Sequence, residues 1–146
     1  PVDIFKMAQD TITRLDSMAQ ERNITVKLTG EKTVMESIPA VADEIIHNVI
    51  ENAIKYNKEN GSVDVFAGKE NGRITFRVKD TGIGIPDADI NRVFERFYRV
   101  DKSHSRKIGG TGLGLSIVKH GVSFLGGELS IKSKVNEGTT ITIVFK

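Results

Sequence analysis

The sequence predicts a two-layer α/β sandwich, with a mixed sheet of about five strands covered on one face by three helices. Apolar residues recur at helical spacing in three long stretches, and period-two stretches recur in five. Two of the strand pairs are joined by tight turn signals, which excludes the regular strand–helix–strand alternation of a parallel sheet. With 146 residues, 38% hydrophobic and 27% charged, the chain has the balance of one globular domain spanning 1–146.

The elements follow in order. Phe5, Ala8, Ile12, Leu15 and Ala19 have the spacing of one amphipathic helix over 2–22. Residues 24–28 alternate as a strand that ends at Thr29-Gly30. A second helix begins at Pro39, a favourable first-turn residue with Ser37 as its cap, and runs to about Asn57. Strands over 62–67 and 73–79 are joined across Asn71-Gly72, a hairpin signal. A turn over 80–86 leads to a short helix over 87–94. Residues 99–111 are polar, basic and glycine-containing, and read as a mobile loop. A third long helix over 113–125 stops at Gly126-Gly127, and two strands, 128–134 and 139–145, flank a turn at 136–138.

Composition narrows the function classes. The absence of Cys excludes a thiolate nucleophile, a Cys-based zinc site and a disulfide framework, and three His give no reason to expect a His-rich metal centre. A net charge of +2 gives no reason to expect nucleic acid or direct contact with an anionic membrane. The chain opens at Pro1 without an apolar leader, and reads as an excised or processed piece.

Three stretches carry chemistry. On the helix over 39–57, Ile45, Ile46, Val49, Ile50 and Ala53 form the apolar arc, while Glu44, Asn48, Glu51, Asn52 and Lys55 share the opposite side, within about 100°. Such a stripe is commonly a solvated face, but two Asn one turn apart gain nothing there. Their amide oxygens suit a Mg²⁺ ion that already carries phosphates, and Lys55 is placed to meet those phosphates.

Asp80-Thr81-Gly82-Ile83-Gly84-Ile85-Pro86 follows a strand directly. An ionised Asp80 can accept from an exocyclic amine such as that of adenine, or merely cap its own turn. Gly109-Gly110-Thr111-Gly112-Leu113-Gly114-Leu115 opens a helix, where outward amides and the dipole favour phosphate; a plain hinge is the alternative. It is neither a P-loop nor a dinucleotide fingerprint. Residues 92–107 hold six Lys/Arg against two Asp/Glu, a net +4 where the rest of the chain is −2, and Phe94, Phe97 and Tyr98 lie among them. A loop of that charge beside a phosphate site is drawn over the anion.

In order, spacing and content these motifs resemble the catalytic ATP-binding domain of bacterial sensor histidine kinases, within the gyrase, chaperone, kinase and mismatch-repair ATPase superfamily (Bergerat fold). Asn48–Tyr56 is similar to that family's N box, Asp80–Pro86 to its G1 box, Phe94–Asp101 to its F box and Gly110–Leu115 to its G2 box. The Phe-Tyr-Arg-Val-Asp stretch is closest to the phosphate-sensing or cell-wall-sensing type.

The resemblance implies ATP and Mg²⁺ as cofactors. It implies Asn52, with Asn48 beside it, as metal ligands, and Asn48 and Arg99 as the catalytic pair, Arg99 reaching the γ-phosphate from a lid over 99–111. Lys55, Tyr56, Asp80, Gly82, Gly84, Ile85, Gly110, Thr111, Gly112, Leu113, Gly114 and Leu115 are implied to bind nucleotide. Thr139 is implied to reach the adenine through water. Hydrolysing members of the superfamily place a water-activating Glu where this chain has Asn48, and an amide is no base near neutral pH. That favours transfer to a protein acceptor over hydrolysis.

The implied partners are a dimerising helical domain that bears the acceptor His, and a response regulator downstream. The implied location is the cytoplasmic side of a membrane-anchored bacterial sensor. His47, His104 and His120 do not sit in the acceptor motif of that family, so this stretch is expected to bind ATP without phosphorylating itself. Two other readings stand beside it: a regulatory nucleotide-binding module without transfer, and an ATPase or serine kinase of the same superfamily.

Overall fold

The computed structural model describes residues 1–90, 92–95 and 114–145. The elements among them are β1 (Val2–Asp3), α1 (Ile4–Arg14), α2 (Asp16–Glu21), β2 (Thr25–Gly30), β3 (Val34–Met35), α3 (Pro39–Lys55), β4 (Ser62–Glu70), β5 (Arg73–Asp80), α4 (Gly114–Phe124), β6 (Glu128–Lys134) and β7 (Gly138–Val144). Five strands form one sheet in the order β2-β4-β5-β7-β6. β2 runs parallel to β4 and the other neighbours are antiparallel, so the sheet is mixed as expected. β1 and β3 pair as a separate two-residue ribbon.

Register explains why, among the described residues, helices cover one face of the sheet. Val65 lies opposite Val78, which lies opposite Ile141, while Ala67, Phe76 and Ile143 form the next row. All six are buried. The rows between them place Phe66 opposite Arg77 and Arg77 opposite Thr142 on the other face, where the Arg77 guanidinium stands 5.8 Å from the Phe66 ring centre. A sheet with one apolar and one polar face needs helices on the first alone. α3 supplies Ala42, Ile45, Ile46, Val49, Ile50, Ala53 and Ile54 to that core. It also contacts α1, α4, β4 and β5, which makes it the spine of the domain. The β4–β5 hairpin turns at Asn71 and Gly72 with φ of 53° and 77°.

Three expectations are corrected. The single helix over 2–22 is two helices behind a short strand, broken at Leu15 (φ −95°, ψ 5°). Thr11 and Thr13 donate their hydroxyls to the carbonyls of Met7 and Gln9 at 2.9 and 3.1 Å, a bonding that bends helices. The break leaves both Leu15 and Ala19 buried.

Ser37 does not cap α3. Ile38 holds that position without a side-chain bond, and the buried Ser37 Oγ has no partner among the described residues. The helix over 87–94 is, among its described residues, a succession of turns. Pro86 O accepts from Asp89 N–H, and Asp89 O from both Arg92 and Val93 N–H, so three-residue closures predominate.

Candidate functional site

α3 organises the candidate site along its length. Asn48, Asn52 and Lys55 fall within an arc of about 60° on one side of it. Asn48 Nδ2 donates to its own helix at Glu44 O (2.7 Å), and its Oδ1 accepts no bond among the described residues. The start of α4 lies directly against this stripe. A Cβ placed on Gly114 would stand 3.1 Å from Asn52 Nδ2 and 3.5 Å from Asn48 Oδ1. A helix N-terminus thus meets two side-chain amides, and backbone N–H groups there favour an anion.

Lys55 Nζ is 3.1 Å from Glu51 Oε1, and Glu51 Oε2 is 2.9 Å from His47 Nε2. Burial pushes the Glu51 carboxyl up, but hydrogen bonds and charge from Lys55 and His47 outweigh it and hold the group below the usual range.

The 80–86 turn packs on the other end of α3. Asp80 ends β5, and the two-residue period through Phe76 and Val78 puts its side chain on the helix-covered face. Its Oδ1 accepts from Gly82 N–H at 2.8 Å and Thr139 N–H at 3.1 Å. Burial raises the carboxyl from 3.8 to about 6, against the pull of those two amides. Of the two roles open to Asp80 in the sequence, the turn cap is the one seen: Oδ1 accepts both amides, while Oδ2 takes no bond among the described residues.

Gly82 is required by close approach, because a Cβ there would collide with the Tyr56 carbonyl. Gly84 is required by its φ of 73°. Ile83 N–H donates to Tyr56 O (3.2 Å), and Ile85 N–H to Ser133 Oγ (2.7 Å). Thr139 bonds Asp80 directly through its backbone, and its hydroxyl pairs with Ser133 Oγ at 2.7 Å.

Several supporting residues escaped the sequence reading. Asn57, fully buried, donates to Ser62 O (2.9 Å) and accepts from Lys58 N–H (2.8 Å) and the Thr81 hydroxyl (3.2 Å). Arg22 donates to the carbonyl of Ile54 at 2.8 Å, and to those of Lys55 and Asn57. Together they lock the end of α3 against the turn. Ser133 could have been found, since the turn at 136–138 sets it opposite Thr139. Arg22 offered no signal.

Arg99, Gly110, Thr111, Gly112 and Leu113 lie outside the described residues, as do Phe97, Tyr98, His104 and the lid expected over 99–111. Leu115 packs against the core.

The donor set fits a magnesium ion that arrives with phosphates. Among the described residues no group of three His, Cys, Asp or Glu could hold a metal alone. Neutral amide oxygens suit a cation whose remaining ligands are phosphate and water.

Comparison with known proteins gives the family and the fold. Residues 37–146 match the family model described as histidine kinase-, DNA gyrase B- and HSP90-like ATPase. The sensor histidine kinase YkoH of Bacillus subtilis (strain 168) is 40% identical over 144 residues, which are 99% of this chain and 31% of that protein. The chain spans between 22% and 32% of the length of the curated relatives it matches. Among solved structures, the mycobacterial sensor histidine kinase MprB superposes with a TM-score of 0.83 at 29% identity, covering 99% of this chain and 95% of that one. Full-length ShkA in complex with AMPPNP gives 0.83 at 26% identity, over 99% of this chain and 30% of that one.

Proposed function

The chain belongs to the histidine kinase-, DNA gyrase B- and HSP90-like ATPase family, and from that premise we propose that it binds Mg-ATP and donates the γ-phosphoryl group to a histidine on a separate helical domain of a bacterial sensor kinase. One observation carries the reading. Three stretches far apart in sequence meet on α3, with Gly114 against Asn48 and Asn52, and Ile83 bonded to Tyr56. That a relative was solved with AMPPNP, an ATP analogue, supports the same class of ligand.

In this reading Oδ2 of Asp80 accepts from the adenine 6-amino group, which guanine lacks at that position. Gly82 and Gly84 bring backbone close to the base, with Ile85 and Tyr56 beside it. Asn52 and Asn48 hold the magnesium ion, which when bound neutralises phosphate charge. Lys55 and the start of α4 at Gly114 face the phosphates, joined by Arg99, Gly110, Thr111, Gly112 and Leu113. In the transfer the acceptor imidazole nitrogen forms a bond to the γ-phosphorus, the bond to the bridging oxygen breaks, and ADP leaves. This chain's share is positioning and charge neutralisation. Asn48 donates to its own helix, and Glu51 is engaged by Lys55 and His47, so neither is a base poised for water. That supports transfer over hydrolysis.

No helix among the described residues is long and apolar enough to cross a membrane. The reading places this domain on the cytoplasmic side of its sensor, with a response regulator as the downstream recipient. The test mixes the chain with a dimeric helical phosphoacceptor domain and labelled ATP. Acid-labile, base-stable phosphate on the partner's histidine is the expected outcome. Phosphate on serine, or fast ATP hydrolysis without transfer, would favour another branch of the superfamily.

A further inference from the structure

The Mg-ATP reading gives Lys55 a role but leaves none to its two partners in a charged ladder on α3. His47, Glu51 and Lys55 stand at successive one-turn intervals, and their side chains are only 33%, 24% and 23% exposed. Open surface ion pairs are mobile and screened; this one is largely shielded and holds both Glu51 oxygens in short contacts. Lys55 shares the arc of Asn48 and Asn52, so the same ammonium that faces the phosphates is already matched with a carboxylate. A phosphate that approaches must take Lys55 from Glu51 or sit near its negative charge, and either lowers affinity.

We propose that Glu51 is a positioning residue that sets nucleotide affinity: it keeps Lys55 as a neutralised pair until the phosphates draw the ammonium away. The proposal rests on the Mg-ATP reading and adds a selectivity to it. A free phosphate competes with Glu51 for Lys55 using charge alone, whereas a nucleotide also has Asp80 and Asn52 to hold it. Glu51 thus discriminates against small anions, and tempers the grip on ATP so that product can leave. His47, as the second partner, orients the carboxylate.

The test is a calorimetric titration of the chain and of Glu51→Gln, Glu51→Asp, Lys55→Met and the Gln/Met double variant with Mg-ATP and adenosine. Glu51→Gln is expected to bind Mg-ATP about three- to tenfold more tightly and adenosine unchanged. Glu51→Asp, which retains the charge, should stay near the parent, and the gain should vanish in the Lys55→Met background. Weaker Mg-ATP binding by Glu51→Gln, an equal shift for adenosine, or a gain that survives Lys55→Met would overturn the proposal. A parent chain that binds neither ligand would instead remove the Mg-ATP reading itself.

Discussion

At the C-terminal end of α3, Asp80 holds two backbone amides, Ser133 ties Ile85 to Thr139, and Asn57 locks Thr81 to the strand. One to two turns earlier on the same helix, Asn48 makes a single bond to its own backbone, and the Asn52 amide makes none among the described residues. The first region is braced by the protein's own groups; the second, among the described residues, is not. On the proposed Mg-ATP reading the base-binding end is therefore preorganised, whereas the phosphate-binding end gains order from magnesium and phosphate. Preorganisation lowers the cost of binding at the first, and dependence on a ligand makes the second selective.

The largest way to sharpen that contrast is Asn52→Ala. It should weaken Mg-ATP by about 10–100-fold, the scale of a lost contact to a charged ligand, and leave adenosine binding intact in a fluorescence titration.

Asp80 should act with opposite signs on binding and stability. Its folded-state value of about 6 lies above the ordinary 3.8, so the folded state holds its proton more firmly and stability falls as pH rises across that window. Asp80→Asn removes the buried charge and should stabilise the free chain at pH 7 to 8 by about 1–2 kcal/mol in urea unfolding, while weakening adenine binding by about 1–3 kcal/mol. An Asn variant that is less stable than the parent would mean that the carboxylate serves the fold first. In the parent, nucleotide affinity should drop as pH falls below about 6, because the protonated carboxyl is a weaker acceptor.

The smallest effect is expected at Gly114→Ala. The added methyl, 3.1 Å from Asn52 Nδ2, displaces a flexible amide by a few tenths of an ångström. Mg-ATP binding should fall about twofold to fivefold without loss of melting temperature, since Ala is the better helix former.

The amino-acid sequence makes legible whatever periodicity or turn chemistry encodes. The apolar arc of α3, the Asn71-Gly72 hairpin and the strand that delivers Asp80 all follow from local pattern. The boundary errors fell where a local pattern was overruled from elsewhere. Leu15 fits an unbroken helix, but the helix breaks there, just after two threonines that back-bond to Met7 and Gln9. Ser37 has the chemistry of a cap and is turned away from that use. At the site, residues of recognisable chemistry such as Asn52 and Asp80 were legible. The residues that hold them in place were not, because Arg22 reaches the end of α3 across more than thirty residues of chain.

The most direct measurement is a pair of affinity ratios for Asn52→Ala and Asp80→Asn, each titrated with adenosine and with ATP, with and without magnesium. The account predicts that Asp80→Asn weakens adenosine and ATP by the same factor whether or not magnesium is present, whereas Asn52→Ala weakens only the magnesium-loaded triphosphate. Equal losses for both variants with every ligand, or no loss with any, would contradict a cleft whose two ends do separate work.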